Sequence, residues 1–357
     1  MKILRSLLLA SAAFVCAGSA FADDREGVVA SIKPVHSLVA AVMEGVGEPT
    51  LIVRGTGSEH VYSLRPSDAE AIEHAKVIFW AGPGMETFLQ KPFETLAMGA
   101  KIVALEDAPG LTKLKFREGG PFEAHEHGDE AEEGHDHAHE KAHDGHEYAE
   151  GEEGHAHDTA EHAHDHTETA AEAEGHAHHD HAHGEYDLHF WLDPENAKIL
   201  VQDIAKTLSE SDPEHAERYK ANADAYSAKL DALTKDITAE LKPVKDKPFI
   251  VFHDAYQYFE KRFGVNTVGS ITVSPENVPG AQRVSEIREK VKQLGATCVF
   301  AEPQFEPRLV KTVTEGTTAK SGVLDPLGAS LKDGPDLYPE LIRNLANSLR
   351  ACLSEAS

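Results

Sequence analysis

Basic residues are scarce in this chain of 357 residues: 34 Lys and Arg stand against 61 Asp and Glu, a formal net charge of −27. No clustered basic face is available for phosphate, which argues against nucleic acid as a partner, and the same charge repels anionic lipid. Long apolar runs are also missing. The one at residues 7–15 is shorter than the ~18–20 residues that a bilayer span needs. It follows Lys2 and Arg5 and ends before Ala20-Phe21-Ala22, small residues where a signal peptidase inspects the chain. Residues 1–22 are therefore expected to be a secretory signal peptide, cleaved before Asp23. Cysteines number three. Cys16 falls in the signal, which leaves Cys298 and Cys352. In an oxidising compartment these two are expected to pair. No nucleophile beside a base is evident, so nothing points to covalent catalysis.

Histidine is abundant, and it is concentrated. Six of the 23 histidines lie outside residues 121–185, so 23 − 6 = 17 lie inside. Runs such as His135-Asp136-His137-Ala138-His139 are surrounded by Ala, Gly, Asp and Glu. The segment holds 21 acids and one base, Lys141, giving 1 − 21 = −20 of the total charge and leaving only −7 for the rest. Imidazole is the commonest metal ligand, so the tract reads as metal binding. It has few aromatics, no alternation and high charge, which suit a solvated segment rather than a packed one. His176-Ala177-His178-His179-Asp180-His181 matches a metallo-hydrolase pattern, but no apolar strand precedes it to fix the ligands, and chance in a biased composition explains it.

Without the signal and the tract about 270 residues remain, enough for two lobes. Strands are expected at 27–33, 49–53, 77–81 and 101–104, with helices at 34–44, 67–74 and 85–96 between them. A helix from Asp193-Pro194-Glu195 runs to about Leu208. Ser211-Asp212-Pro213-Glu214 then opens a longer one to Leu241. Strands at 248–252, 265–270, 297–301 and 321–324 alternate with helices at 256–263, 283–294, 307–320 and 337–353. Such alternation implies α/β lobes with parallel sheets and right-handed crossovers. The boundaries are 23–212 for the first lobe, 213–242 for a linking helix and 243–357 for the second lobe. A ligand cleft is expected between the lobes, at the carboxyl ends of the strands.

Three of the six outlying histidines stand at strand-to-loop transitions: His60 after Gly57-Ser58-Glu59, His189 in Asp187-Leu188-His189-Phe190-Trp191, and His253 in Phe252-His253-Asp254. Asp325, in Leu324-Asp325-Pro326, is an acidic residue at a similar position. Zinc takes three or four such donors in a tetrahedron. His74 and His215 read as solvated helix-face residues and His36 as structural. Asp193 reads as a helix cap.

Several segments together carry a resemblance: Ser58-Glu59-His60, Leu64-Arg65-Pro66-Ser67-Asp68, Trp80-Ala81-Gly82-Pro83-Gly84-Met85-Glu86, Asp187-Leu188-His189-Phe190-Trp191-Leu192, Phe252-His253-Asp254-Ala255-Tyr256, Pro279-Gly280-Ala281-Gln282-Arg283, Phe300-Ala301-Glu302-Pro303-Gln304-Phe305 and Leu324-Asp325-Pro326-Leu327-Gly328. In this order, over the whole chain after the signal, they resemble the zinc-uptake periplasmic solute-binding proteins of bacterial ABC transporters. The resemblance implies two lobes on a rigid helix, and Zn²⁺ as cargo held by His60, His189 and His253. The fourth position stays open between Glu59, water and Asp325. It also implies the Cys298–Cys352 bridge, periplasmic residence as a monomer, and delivery to a membrane permease driven by an ATPase, with a periplasmic zinc chaperone as a further candidate partner. Related manganese binders carry a carboxylate where His253 stands, so His253 favours zinc over manganese or iron. A zinc-dependent hydrolase with Glu59 as base is the alternative from another class.

Overall fold

The computed structural model describes residues 27–117, 122, 186–272, 280–293, 295–305 and 308–354. The expected signal peptide and nearly all of the tract at 121–185 lie outside the described residues.

The first lobe runs β1 (Val28–Ala30), α1 (Lys33–Val42), β2 (Thr50–Leu51), α2 (Pro66–Glu73), β3 (Val77–Trp80), α3 (Gln90–Leu96) and β4 (Lys101–Ala104). Its sheet has the order β2-β1-β3-β4, every pair parallel. The central strand β3, Val-Ile-Phe-Trp, is buried throughout, as a strand covered on both faces must be. β1 is shorter than the sequence suggests because α1 begins at Lys33, with Pro34 fixing φ in its first turn. The helix expected at 85–96 opens as a 3₁₀ turn, Thr87–Leu89, and becomes α-helical only at α3.

A two-stranded antiparallel ribbon follows, β5 (Leu114–Lys115) with β6 (Tyr186–Asp187), in the register Leu114↔Asp187 and Lys115↔Tyr186. It pairs residues that lie on either side of the His-rich insertion in the sequence. Its strands are two residues each and carry no alternation, so the sequence offered no signal for it.

Helix α4 (Pro194–Ser211) is capped by Asp193, whose side chain accepts from the Glu195 amide at 2.9 Å. The linking helix α5 (Ala216–Leu241) follows a 3₁₀ turn at Pro213–His215. Its 26 residues span about 39 Å. Its buried stripe is Tyr219, Ala223, Tyr226, Leu230, Leu233, Ile237 and Leu241, at the three- and four-residue spacing of one helix face. That stripe packs on α1, α4 and the C-terminal helix α9 (Leu337–Ser354). His215 is not merely solvated: its Nδ1 meets Asp212 at 2.8 Å, and Tyr219 Oη donates to the same carboxylate at 2.8 Å.

The second lobe repeats the first: β7 (Pro248–His253), α6 (Gln257–Phe263), β8 (Asn266–Thr272), α7 (Ala281–Gln293), β9 (Cys298–Ala301), α8 (Arg308–Thr314), β10 (Lys320–Val323) and α9 (Leu337–Ser354). Its parallel sheet reads β10-β9-β7-β8, the same topology as the first. α8 stops well before residue 320, and Gly316, at φ 71°, sits in the turn that follows, a conformation no right-handed helix contains. The bridge Cys298–Cys352 ties β9 to α9, as expected.

One hydrophobic core runs from Val29 to Leu353, through both lobes and along α5. A smaller cluster, with Ile250, Phe252, Ile287, Val299 and Val310, covers the other face of the second sheet. The seam between lobes is also bonded. Lys33 Nζ donates to Ala329 O (3.1 Å) and Leu331 O (2.8 Å), and Trp191 Nε1 donates to Pro326 O (3.0 Å). A continuous core of this kind opposes wide hinge motion.

Candidate metal centre

In each sheet the chain reverses its winding beside the first strand, between β1 and β3 and between β7 and β9. Parallel α/β sheets expose a crevice at the carboxyl end of that switch point. In the second lobe His253 ends β7, and Glu302 follows directly on β9. Adjacent parallel strands therefore deliver two residues 49 apart in sequence to one spot, where His253 Nδ1 meets the Glu302 carboxylate at 2.8 Å.

His189 is placed by the ribbon. Asp187, in β6, accepts from the His189 backbone amide (2.9 Å) and from its Nδ1 (2.7 Å) through Oδ1. The loop after β2 supplies the other two residues: Glu59, 1 % exposed, and His60, whose side chain is 21 % exposed. The His60 amide donates to Ser58 Oγ at 3.1 Å.

These four converge. One ligand atom from each of Glu59, His60, His189 and His253 lies within 4.8 Å of every other. His253 Nε2 stands 3.2 Å from His189 Nε2. Glu59 Oε1 is 3.7 Å from His189 Nε2 and 3.9 Å from His60 Nε2. A tetrahedral zinc site with bonds near 2.0–2.1 Å has ligand-to-ligand edges of about 3.3 Å. The cluster matches that on one edge and is a few tenths of an ångström wide on two others.

The chemistry of the donors fixes what fits. A carboxylate only accepts, so His189 and His253 must each present Nδ1–H to Asp187 and Glu302. Both Nε2 lone pairs then face each other across 3.2 Å, which is repulsive unless a cation lies between them. Carboxylate–histidine pairs of this form orient metal-binding imidazoles. The electrostatics agree. Burial alone would raise the Glu59 carboxyl, but a hydrogen bond to His189 and the nearby imidazoles pull it down to about 2. Burial likewise opposes charge on His189, yet the charge and hydrogen bond of Asp187 and contact with Glu59 push it up to about 10. His253 is raised by Glu302 against the same burial cost. Three carboxylates around three imidazoles make a centre that holds positive charge, whether a proton or a metal ion.

Of the five sequence candidates, the structure brings together Glu59, His60, His189 and His253 and leaves Asp325 out. The Asp325 carboxylate accepts from the amides of Leu327 (3.1 Å), Gly328 (2.9 Å) and Ala329 (2.7 Å) and from Gln304 Nε2 (3.1 Å). It closes the turn after β10. Asp187 and Glu302, the partners of His189 and His253, are not among the sequence candidates. Asp187 could have been found as an acid two residues before a candidate ligand. Glu302 required the pairing of β7 with β9. His36 is structural, as expected, with Nε2 3.0 Å from Pro49 O.

A family model described as zinc-uptake complex component A, periplasmic (ZnuA), matches residues 28–352. The chain is 69 % identical over 357 residues to the high-affinity zinc uptake system protein ZnuA of Brucella suis biovar 1, covering 99 % of this chain and 100 % of that protein. It is 38 % identical over 352 residues to the Yersinia pestis protein of the same name, covering 99 % and 98 %. Among solved structures, a crystal structure of ZnuA superposes with a TM-score of 0.67 at 22 % identity, covering 92 % of this chain and 98 % of that one, a likeness of fold. A match over nearly the full chain, with a histidine-lined centre at the switch point, places this protein in the family of periplasmic zinc-uptake component A proteins.

Proposed function

We propose that the chain captures Zn²⁺ in the periplasm at Glu59, His60, His189 and His253 and passes it as a monomer to the membrane permease of an ATP-driven uptake system. One observation carries this reading: four donors from three separate chain segments aim at one buried point, two of them with carboxylates behind. Imidazole donors suit zinc better than manganese or iron, which prefer more carboxylate. Glu59 sits inside the ring of donors, so it serves as the fourth ligand rather than as a base, and this disfavours the hydrolase alternative. The tract at 121–185 acts as a low-affinity zinc collector or as a sensor of zinc sufficiency. Binding there must order several residues at ~1–2 kcal/mol each, which makes it weak and rapidly exchanging beside a preformed centre. A periplasmic zinc chaperone would be a second partner of the same route.

The deciding experiment is metal competition on the full chain. One equivalent of zinc is expected to bind tightly, to displace manganese, and to lose that tight phase on His60→Ala, His189→Ala or His253→Ala. Tight binding that survives all three substitutions refutes the assignment.

A further inference from the structure

His189 Nε2 and His253 Nε2 approach to 3.2 Å, yet the two residues share no strand and no sheet. His253 ends β7 in the second lobe, whereas His189 follows the β5–β6 ribbon. Helix α6, which starts four residues after His253, grips that ribbon on both strands. Tyr258 Oη accepts from the Leu114 amide of β5 (2.9 Å) and donates to Asp187 O of β6 (2.6 Å). Gln257 Nε2 donates to Lys115 O at 3.1 Å. Arg117, two residues beyond β5, forks onto two acids that flank the start of α6. It bonds Glu260 at 2.8 and 2.9 Å, and it bonds Asp254, the residue after His253, through Nε at 3.0 Å and through Nη2. Arg262 of the same helix binds Asp193 at 2.6 and 2.8 Å. The segment 187–193 that carries His189 is thus held by α6 in front and behind.

We propose that this clamp sets the separation of His189 and His253, making Tyr258 and Arg117 positioning residues for the metal. The proposal rests on the reading of the four-residue centre as the zinc site. Tyr258 bonds the backbone carbonyl of Asp187, whose carboxylate orients His189. Arg117 bonds the side chain of Asp254, which continues the backbone of His253. Each therefore acts one covalent step from a ligand or its supporting carboxylate. Such sites tolerate only about half an ångström of error. The acids that Arg117 joins are buried, with Asp254 6 % and Glu260 9 % exposed. A guanidinium matches both at once with a rigid fork that an ammonium cannot reproduce.

The test uses the full chain loaded with one equivalent of metal. Zinc dissociation into excess chelator is timed, and the visible spectrum of the Co²⁺ form reports coordination geometry. Tyr258→Phe and Arg117→Lys are each expected to speed the slow dissociation phase by ~10-fold or more and to shift the Co²⁺ bands. Tyr226→Phe is the matched control. It removes a tyrosine hydroxyl bonded to a backbone carbonyl, Pro335 O at 2.9 Å, and is expected to leave both readouts unchanged. Wild-type dissociation and spectrum in Tyr258→Phe overturn the clamp, and this variant decides alone if Arg117→Lys does not fold. His253→Ala separates the two ideas. If it abolishes the slow phase while the clamp variants are silent, only the clamp fails. If the slow phase survives His253→Ala, the zinc-site reading fails and the clamp with it.

Discussion

The Glu302 carboxylate lies 2.8 Å from His253 Nδ1 although 49 residues separate them. The pair exists because β7 and β9 are hydrogen-bonded neighbours with parallel carboxyl ends. It turns the Nε2 lone pair of His253 toward His189 and adds negative charge behind the ligand.

Glu302→Gln keeps an acceptor for Nδ1–H but removes the charge, and Asp187→Asn does the same behind His189. Each is expected to weaken zinc binding ~10–100-fold, the usual cost of removing an outer-shell carboxylate. Competition against a chelator of known affinity measures it. Equal affinity in both variants would show that the carboxylates are only structural.

Zinc binding at neutral pH should release protons. In the metal-free chain His189 holds its proton up to about 10, and the metal must displace it. Titration calorimetry in buffers of different ionisation enthalpy counts those protons. Affinity should fall as pH drops below about 10, where His189 takes up its proton, whereas Glu59 stays ionised down to about 2.

Stability of the metal-free chain should carry the same signature. His189 has a raised folded-state value, so its contribution is complete below its ordinary 6.5 and is lost as pH rises through about 10. Glu59 has a depressed one. Its contribution is present above 4.5 and lost as pH falls through about 2. Melting temperatures with and without zinc should differ most at alkaline pH, and free zinc at a hundred times its dissociation constant adds about 2.7 kcal/mol.

Glu86 offers a test at a buried carboxyl outside the four donors. Burial, only partly offset by Ser31 and by the Gly82 and Ala81 amides, pushes its carboxyl up to about 7. The folded chain keeps this proton after the unfolded chain has lost it at 4.5, so stability should decline as pH rises from 4.5 to 7. Glu86→Gln can still accept from those amides and should flatten that decline in a denaturant series.

Breaking the Cys298–Cys352 bridge, which closes a loop of sequence separation 54, should cost about 2–4 kcal/mol. Urea midpoints of a Cys298→Ser, Cys352→Ser double variant measure the loss.

Much of the architecture could be read from local signals. The start signal Ser211-Asp212-Pro213-Glu214 and the end at Leu241 located the linking helix within a few residues. Strand-helix alternation gave both parallel sheets. The boundaries failed where local signals run out. Helix α8 is half its expected length because the turn at Gly316 follows it. The β5–β6 ribbon has too few residues to show a period.

The sequence by itself determined the class of chemistry. Histidines at three strand-to-loop transitions, a fold of alternating elements and one His-rich acidic insertion already specify metal binding on an α/β frame, because side-chain chemistry and periodicity are local properties; the carrier role is what the family resemblance implies. The tertiary structure decided the rest. It set Glu59 among the three imidazoles and tied the Asp325 carboxylate to three backbone amides. It supplied Asp187 and Glu302 as partners of His189 and His253, and it joined the segments of those two histidines through α6. Those relationships depend on strand order and on packing between distant segments, and no local pattern of residues encodes them.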